Sequence, residues 1–281
     1  MEIDKILVVG TGAMGGGIAQ AALEGGCSIR LVDKDENRAA QAVERIRSRL
    51  ERRLTEGKIQ DRESEEMLGR ITTVPDLSSC GDAQLVIEAA SEKESVKEAI
   101  FRQLDAVALP SAIFASNTSA ISITRLASLS GRPGKFIGMH FMNPAHVMKL
   151  VEVIPGLETT GETVEAIVGL CLKLGKRAVV VADSPGFVAN RLLMPAINQA
   201  IHALQEGVAS REDIDNVMRL GAGHPMGPLE LADFIGLDIC LEILETLCLE
   251  LGETYRPCPL LRKMVAGGRL GKKSGGGFYD Y

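Results

Sequence analysis

Hydrophobic residues near the N-terminus change their spacing in a way that predicts a strand, a helix and a second strand. Residues 3–9 form a mostly apolar, β-branched run that ends at Gly10, as expected for a strand buried on both faces. Residues 14–23 have helical spacing, and residues 28–32 return to a strand pattern that stops at Asp33. The pattern predicts a βαβ unit of about 30 residues.

Strands and helices continue to alternate along the following chain. Residues 36–68 are highly charged, carry Leu, Ile and Val at helical spacing, and predict two helices separated near Gly57. Further strand-like runs lie at 85–87, 112–115, 136–139, 150–154 and 178–181. The alternation predicts an α/β fold with a doubly wound, mostly parallel sheet, into which residues 36–68 are a helical-hairpin insertion.

The strand pattern stops near residues 183–186. Residues 187–267 show only helical periodicity, and the glycine-rich stretch 267–281 predicts a loop-rich tail. We therefore predict two domains, an α/β domain of residues 1–183 and an all-α domain of residues 187–281.

Composition and charge argue against two classes of protein, membrane-spanning proteins and general nucleic-acid binders. The chain has 281 residues, 46% of them hydrophobic and 24% charged, and no window supplies the roughly 20 consecutive apolar residues of a membrane span. A net charge of −6 and only 4% aromatic residues argue against a general nucleic-acid binder. Acidic residues stand where a signal peptide carries basic ones, so we expect a cytoplasmic chain that starts at Met1.

The 6 cysteines and 4 histidines do not follow a metal-site pattern. The chain contains no Cys-x-x-Cys pair and no His-Glu-x-x-His sequence. No secretory context favours oxidation, so we expect free thiols and no metal.

The first predicted strand leads into a glycine-rich turn with the spacing G-x-G-x-x-G, at residues 10–15. It follows a strand, opens a helix and is followed by an acid at the end of the second strand, which is the context of a dinucleotide site. Gly10 permits a tight turn, Gly12 lets N–H groups approach a pyrophosphate, and Gly15 permits close packing of the helix. The motif predicts a Rossmann-type domain, with these cofactor-binding residues: Gly10, Gly12, Ala13, Met14, Gly15 and Asp33.

Asp33 decides which dinucleotide we expect. Its carboxylate would accept hydrogen bonds from ribose hydroxyls and would repel a 2′-phosphate. Lys34 and Arg38 would attract such a phosphate. The carboxylate favours NAD as the cofactor.

Residues 116–119, Ser-Asn-Thr-Ser, follow the predicted strand 112–115. Ligands of α/β sheets bind at the carboxyl ends of strands, so Asn117 and Ser119 are candidate ligand contacts. A strand-to-helix loop in which Ser119 is an N-cap explains the pattern equally well.

His140 and Glu152 are polar residues in apolar runs. A lone histidine of this kind is more often a core residue, but a lone carboxylate in an apolar strand needs a partner. A turn at 143–147 separates the two runs, so the side chains can meet. The carboxylate would fix the tautomer of the imidazole and leave its other nitrogen as a general base. Such a pair is suited to removing the proton of an alcohol while a hydride goes to nicotinamide.

Two more segments are candidates for ligand contacts. Asn190 begins the helical run after the domain boundary, where an N-cap or an interdomain hydrogen bond is an equally good explanation. Residues 45–58 carry six basic side chains, which are typical of a solvated helix face or of a phosphate clamp. Residues 254–279 carry six more and no acid.

Several motifs together resemble the L-3-hydroxyacyl-CoA dehydrogenases, in particular their short, single-function form. The resemblance runs nearly end to end and is carried by Gly-Thr-Gly-Ala-Met-Gly (10–15), Phe-Ala-Ser-Asn-Thr-Ser (114–119), His-Phe-Met-Asn-Pro (140–144), Met-Lys-Leu-Val-Glu-Val (148–153), Asp-Ser-Pro-Gly-Phe-Val-Ala-Asn-Arg (183–191), Pro-Met-Gly-Pro (225–228) and Gly-Lys-Lys-Ser-Gly-Gly-Gly-Phe-Tyr (271–279). It implies reversible, NAD-dependent oxidation of an (S)-3-hydroxyacyl-CoA, with 3-hydroxybutyryl-CoA as the expected substrate, to the 3-oxoacyl-CoA.

The resemblance also implies roles for individual residues. His140 matches the general acid/base, Glu152 the carboxylate that orients it, and Ser119 and Asn190 match residues that bind the substrate. The NAD contacts that the resemblance implies are Glu92, Lys97, Asn143 and Lys273. Asn117 is a further expected cofactor contact, because of its place after a predicted strand. The helical insertion of the family binds CoA, and the candidates here are Arg49, Arg52 and Arg53. Family members pair through the helical domain, which implies a homodimer.

Two alternatives to this function stay open. A free-acid β-hydroxyacid dehydrogenase would carry a catalytic lysine near the start of the interdomain helix, where this chain has Asn190. A crystallin-like relative would keep the fold without turnover. The set Ser119, His140, Glu152 and Asn190 argues against the second alternative.

Overall fold

The apolar runs of the first part of the chain form one sheet in the computed structural model, which describes residues 2–281. The strands are β1 Lys5–Val9, β2 Ser28–Val32, β3 Ile71–Thr73, β4 Leu85–Glu88, β5 Ile113–Ser116, β6 Phe136–Phe141, β7 Leu150–Pro155 and β8 Arg177–Val180. Their order is β3-β2-β1-β4-β5-β6-β7-β8. All pairs are parallel except β6 with β7. The predicted doubly wound, mostly parallel sheet is confirmed.

The central strands are covered on both faces of the sheet. Leu7 and Val8 are consecutive, so their side chains point to opposite faces, and both are fully buried. Val86 and Ile87 on the neighbouring strand β4 behave in the same way. Burial on both faces explains why these strands are continuous apolar runs. The strand order reverses between β1 and β4, and ligands of such sheets bind at the carboxyl ends of strands beside this switch point.

Six helices accompany the sheet in this part of the chain. They are α1 Ala13–Glu24, α2 Glu36–Thr55, α3 Asp61–Leu68, α4 Glu94–Val107, α5 Ile123–Leu129 and α6 Gly161–Lys173. α2 and α3 confirm the predicted insertion. The side chain of Asp35 caps α2 by accepting a hydrogen bond from the N–H of Asn37. Ala39, Ala42 and Ile46 recur at helical spacing in α2 and are buried.

Two details of the sheet differ from the pattern-based prediction. β3 was not predicted, because it has three residues and only Ile71 among them is apolar and buried. β6 extends to Phe141, two residues beyond the predicted end. Pairing with β7 carries the strand through His140, which therefore has a strand conformation.

The chain divides into two compact units, of which the first ends at Asp183 and the second is Ser184–Tyr281. The second unit is helical, with α7 Ala189–Gln205, α8 Arg211–Asn216, α9 Pro228–Ile235, α10 Leu237–Leu251 and α11 Pro259–Ala266, and a π-helical turn at Val217–Gly221. Its core includes Ile197, Leu229 and Leu244, which are fully buried. The all-α prediction for this part is confirmed.

The tail after α11 is more ordered than a loop-rich segment. It contains the isolated bridges Gly271–Gly276 and Gly276–Asp280. The buried carboxylate of Asp233 accepts hydrogen bonds from the N–H groups of Phe278 and Tyr279. These bonds fasten the tail to α9, which the glycine content alone did not indicate.

Within residues 2–281, no helix is both long enough and apolar enough to cross a membrane. The same residues contain no cluster of three or more His, Cys, Asp or Glu side chains suited to a metal ion.

Candidate active site

The turn between β1 and α1 presents backbone N–H groups at the carboxyl edge of the sheet. Gly10 has a φ angle of +89°, and a Cβ added to it would lie 2.7 Å from the carbonyl oxygen of Ala89. A Cβ on Gly15 would lie 1.9 Å from the carbonyl oxygen of Gly10. At Gly12 an added Cβ meets nothing within 4 Å, and no side chain caps α1. The first N–H groups of α1 and its positive dipole end are thus suited to a pyrophosphate.

Asp33 follows β2 and is held against the glycine-rich turn. Its Oδ2 accepts hydrogen bonds from the N–H of Thr11 at 2.8 Å and from the hydroxyl of Thr11 at 2.9 Å. Partial burial favours the neutral carboxyl, but the hydrogen bonds from Thr11 and Asp35 and the charge of Arg38 outweigh it and hold the pKa of Asp33 below its ordinary value. The ionised carboxylate is suited to accept hydrogen bonds from the ribose hydroxyls of a dinucleotide.

His140 and Glu152 lie directly opposite each other on the antiparallel strands β6 and β7. Nδ1 of His140 is 2.8 Å from Oε2 of Glu152, and both side chains are buried. An ionised carboxylate can only accept, so Nδ1 of His140 is the donor in this contact and Nε2 is the ring nitrogen left for other chemistry. The predicted contact is present, and its catalytic role stays a prediction.

The loop after β5 is organised around the carboxylate of Glu92. Oε1 of Glu92 accepts hydrogen bonds from the N–H of Ser119 at 2.7 Å and of Ala120 at 3.2 Å, and from the hydroxyl of Thr118. The N-cap of α5 is Ser122, so the alternative role of Ser119 as an N-cap is wrong. The loop conformation places Ser119 at the carboxyl edge of the sheet.

Asn117 and Asn143 flank the end of β6. Oδ1 of Asn117 accepts a hydrogen bond from the N–H of Phe141 at 3.0 Å, next to His140. Asn143 is exposed and begins the turn between β6 and β7, with a cis peptide bond to Pro144. Asn117 therefore fixes the end of the strand that carries His140, and Asn143 is accessible to a ligand.

Lys97 on α4 is almost completely buried. Its Nζ is 2.8 and 2.9 Å from the two carboxylate oxygens of Glu88 and 3.1 Å from Oε2 of Glu92. Its ammonium group is thus held by two carboxylates at the end of β4.

The remaining predicted site residues lie in the second unit. Asn190 is buried in the first turn of α7, and Val188 is the N-cap of that helix, so the N-cap explanation for Asn190 is wrong. Lys273 forms an ion pair with Asp238 in the first turn of α10.

The basic segment on α2 contains one arginine with an unsatisfied donor. Arg53 pairs with Glu24, and Arg52 pairs with Glu56 at 3.7 Å. In contrast, Nε of Arg49 is buried and has no hydrogen-bond partner among the described residues. Burial, together with the charge of Arg45, lowers the pKa of Arg49.

Two further residues lie in the same region: His146, which the sequence did not suggest, and Arg45 of the basic segment 45–58. Nδ1 of His146 is buried without a hydrogen-bond partner in the described part of the chain, and burial and the charge of Arg49 lower the pKa of His146. Arg45 donates a hydrogen bond to the carbonyl oxygen of Thr11 at 3.0 Å. The unsatisfied Nε donor of Arg49, together with the charge of Arg45, is suited to an anion.

Glu88 is a further residue that sequence reasoning missed. A signal was present, because Glu88 ends the apolar run Leu85-Val86-Ile87 in the same way that Glu152 interrupts an apolar strand. Its carboxylate lies at the switch point of the sheet, beside the glycine-rich turn.

Comparisons with known proteins agree with this geometry. Residues 5–184 match the family model of the 3-hydroxyacyl-CoA dehydrogenase NAD binding domain, and residues 186–281 match that of the 3-hydroxyacyl-CoA dehydrogenase C-terminal domain. The chain is 51% identical to a probable 3-hydroxybutyryl-CoA dehydrogenase of Bacillus subtilis, over 100% of this chain and 98% of that protein. It is 42% identical to the human mitochondrial hydroxyacyl-coenzyme A dehydrogenase, over 99% of this chain and 91% of that protein.

Solved structures show the same similarity. The crystal structure of the (S)-3-hydroxybutyryl-CoA dehydrogenase of Ralstonia eutropha superposes with a TM-score of 0.96 at 44% identity, covering 100% of this chain and 99% of that one. The fold is thus shared over nearly the whole length of both chains. The chain therefore belongs to the 3-hydroxyacyl-CoA dehydrogenase family and is an NAD-dependent dehydrogenase.

Proposed function

We propose that the protein interconverts (S)-3-hydroxybutyryl-CoA and acetoacetyl-CoA. The 2.8 Å contact between Nδ1 of His140 and Oε2 of Glu152 carries the proposal. The strands that carry this buried pair belong to the same sheet as β1 and β2, which lead into the glycine-rich turn and Asp33. One domain therefore contains both the acid/base pair and residues proposed to bind the cofactor. Relatives that cover nearly the whole chain are named for this reaction, which supports the short acyl chain.

In the oxidation direction, His140 acts as the general base. Nε2 takes the proton of the 3-hydroxyl group while the hydride leaves C3, and Glu152 stabilises the imidazolium that forms. NAD, when bound, supplies the hydride acceptor. Ser119 and Asn190 bind the oxygen atoms of the substrate, a role that rests on the family resemblance. In the reduction direction the imidazolium returns the proton.

The residues around the cofactor have two kinds of proposed role. The N–H groups at residues 12–14 bind the pyrophosphate, and Asp33 binds the adenosine ribose. The family resemblance supports contacts from Glu92, Asn143 and Lys273. Lys97 would have to leave its carboxylate partners to touch NAD, so we propose that it acts by holding Glu88 and Glu92.

The basic face of α2 is the proposed CoA site. The unsatisfied Nε of Arg49, next to His146, is suited to a phosphate oxygen of CoA. Arg52 and Arg53 are the further candidates, although each already has a carboxylate partner that a phosphate would have to replace.

Exposed leucines in the second unit support a homodimer. Leu192, Leu220 and Leu249 are 69%, 83% and 83% exposed. The family resemblance points to pairing through this unit, and these side chains are candidate contacts of the pair. Analytical ultracentrifugation tests the dimer, which a monomer at micromolar concentration would contradict.

We propose the cytoplasm as the location of the protein. The six free thiols are consistent with this reducing compartment.

The activity is tested by following NADH oxidation with acetoacetyl-CoA and, in parallel, with acetoacetate. We expect rapid turnover of the thioester and little of the free acid. Preferential use of acetoacetate would instead support the free-acid dehydrogenase. No turnover of either compound by folded protein would support a relative without this activity. A series of C4 to C16 3-oxoacyl-CoA substrates then tests the short-chain preference.

A further inference from the structure

Glu88 places a carboxylate at the carboxyl ends of the strands, where ligands of such sheets bind. It is the last residue of β4, and its side chain is completely buried. In the register of the sheet it pairs with Val9 on β1 and with Ser116 on β5. β1 and β4 are the strands between which the sheet order reverses. A buried charge at this position requires partners that compensate for its lost hydration.

Four hydrogen bonds satisfy this carboxylate. Oε1 accepts one from the N–H of Ala90 at 2.7 Å and one from Nζ of Lys97 at 2.8 Å. Oε2 accepts one from the hydroxyl of Ser116 at 2.6 Å and a second from Lys97 at 2.9 Å. Every partner is a donor, so the arrangement is built for the ionised carboxylate.

These contacts reach the loop that carries Ser119. Nζ of Lys97 lies 3.1 Å from Oε2 of Glu92, while Oε1 of Glu92 accepts the hydrogen bond from the N–H of Ser119. A continuous series of polar contacts therefore runs from Glu88 through Lys97 and Glu92 to Ser119. Networks of this kind hold their members more firmly than isolated bonds do.

The same carboxylate also reaches the glycine-rich turn. It fixes the N–H of Ala90, and a Cβ on Gly10 would lie 2.7 Å from the carbonyl oxygen of Ala89 and 2.8 Å from the nitrogen of Ala90. The peptide between Ala89 and Ala90 is thus the wall against which the turn packs. A displacement of this peptide would displace the turn.

We propose that Glu88 is a positioning residue of the dehydrogenase. Through Lys97 and Glu92 it fixes the loop of Ser119, and through Ala90 it fixes the glycine-rich turn. One buried carboxylate thus sets the placement of the substrate loop relative to the cofactor turn. The assignment of the Ser119 loop to the substrate rests on the proposed function, whereas the contact with the cofactor turn does not.

The first test is Glu88→Gln, which keeps the volume of the side chain and removes its charge. Lys97 is then left with one carboxylate partner, Glu92, and the ammonium shifts towards it. Since small misplacements of reacting groups reduce rates by up to about 100-fold, we expect kcat with acetoacetyl-CoA to fall about 10- to 100-fold. We also expect a weaker Kd for NADH, measured by its fluorescence.

The matched control is Glu98→Gln. Glu98 lies on α4, next to Lys97 in sequence, and its carboxylate pairs with Arg102. We expect kcat and the NADH Kd of this variant to equal those of the wild type. All rates are measured well below the thermal midpoint of each variant and are divided by the folded fraction. A Glu88→Gln variant with a lowered midpoint but unchanged kcat and NADH Kd has lost only stability, which overturns the proposal.

Ser116→Ala provides a second test that does not depend on the folding of Glu88→Gln. It removes one donor from Oε2 of Glu88 and leaves the charges in place. It also removes the acceptor of a 3.3 Å hydrogen bond from the N–H of Thr118 in the Ser119 loop, so the NADH Kd is the readout specific to Glu88. Because one bond of the network is lost and the charges stay, we expect a smaller fall in kcat than for Glu88→Gln, about 2- to 10-fold. A wild-type kcat in this variant contradicts the proposal. The rate of the wild-type protein with acetoacetyl-CoA tests the proposed function separately. If that rate is zero, the NADH Kd of the Glu88 variants still tests whether Glu88 positions the cofactor turn.

Discussion

Replacement of Glu152 by Gln tests how much the carboxylate contributes to catalysis. Gln has the shape of Glu and can still offer Oε1 to Nδ1 of His140, so the substitution removes the charge and keeps an acceptor. The contact is 2.8 Å long and nearly excluded from water, and the carboxylate makes it a charge-assisted hydrogen bond that becomes an ion pair when the imidazole is protonated. The substitution therefore acts mainly on the state in which His140 holds the substrate proton.

The size of the effect follows from this contact. A hydrogen bond to a charged group contributes about 1.5–3 kcal/mol. Because about 1.4 kcal/mol corresponds to a factor of ten in rate, we expect kcat to fall about 10- to 150-fold in the oxidation of 3-hydroxybutyryl-CoA. The KM for NAD changes little, since Glu152 is not among the proposed cofactor contacts.

The assay is steady-state formation of NADH at saturating concentrations of both substrates, combined with a thermal melt. Glu162→Gln is the matched control, because Glu162 is an exposed acid in the first turn of α6. We expect this variant to retain the wild-type kcat. A folded Glu152→Gln enzyme whose kcat lies within about twofold of the wild type would refute the role of the carboxylate.

Three further variants test the cofactor and CoA sites. Gly15→Ala places a Cβ 1.9 Å from the carbonyl oxygen of Gly10, so a thermal melt should show a destabilisation of about 1–3 kcal/mol or more. The control Gly12→Ala has open space around its Cβ, so it should keep the wild-type midpoint and raise the KM for NAD. Equal midpoints for the two variants would count against close packing at Gly15. Asp33→Ser should lower kcat/KM for NADH relative to NADPH, whereas an unchanged ratio would show that the carboxylate does not select the cofactor. Arg49→Met should raise the KM for acetoacetyl-CoA about tenfold, because one charge-assisted bond is lost, and should leave the KM for NADH unchanged. An unchanged KM for acetoacetyl-CoA would exclude Arg49 from the CoA site.

The parts of the fold that follow from local periodicity were predictable from the sequence. The βαβ unit, the two helices of the insertion and the helical second unit each have a repeated apolar spacing that local physics explains. β3 lacks such a spacing, because only Ile71 among its three residues is buried. The tail depends on hydrogen bonds to Asp233, a residue more than forty positions away, so the order of the tail has no local signal.

The candidate site was predictable to a similar extent. The contact of His140 with Glu152 followed from two polar anomalies joined by a short turn. Glu88 is an anomaly of the same type, but its partners Lys97 and Ser116 lie on α4 and β5, which only the sheet order brings beside it. The unsatisfied Nε of Arg49 is likewise a property of packing, because the sequence shows six similar basic residues in that segment.

The most direct test of the proposed chemistry is the kcat of His140→Ala with acetoacetyl-CoA and NADH. General acid/base catalysis contributes about 10²–10⁴-fold, so we expect kcat to fall by at least 100-fold while the Kd for NADH stays at its wild-type value. Near-normal turnover by the folded variant, with unchanged NADH binding, would contradict the assignment of His140 as the general acid/base.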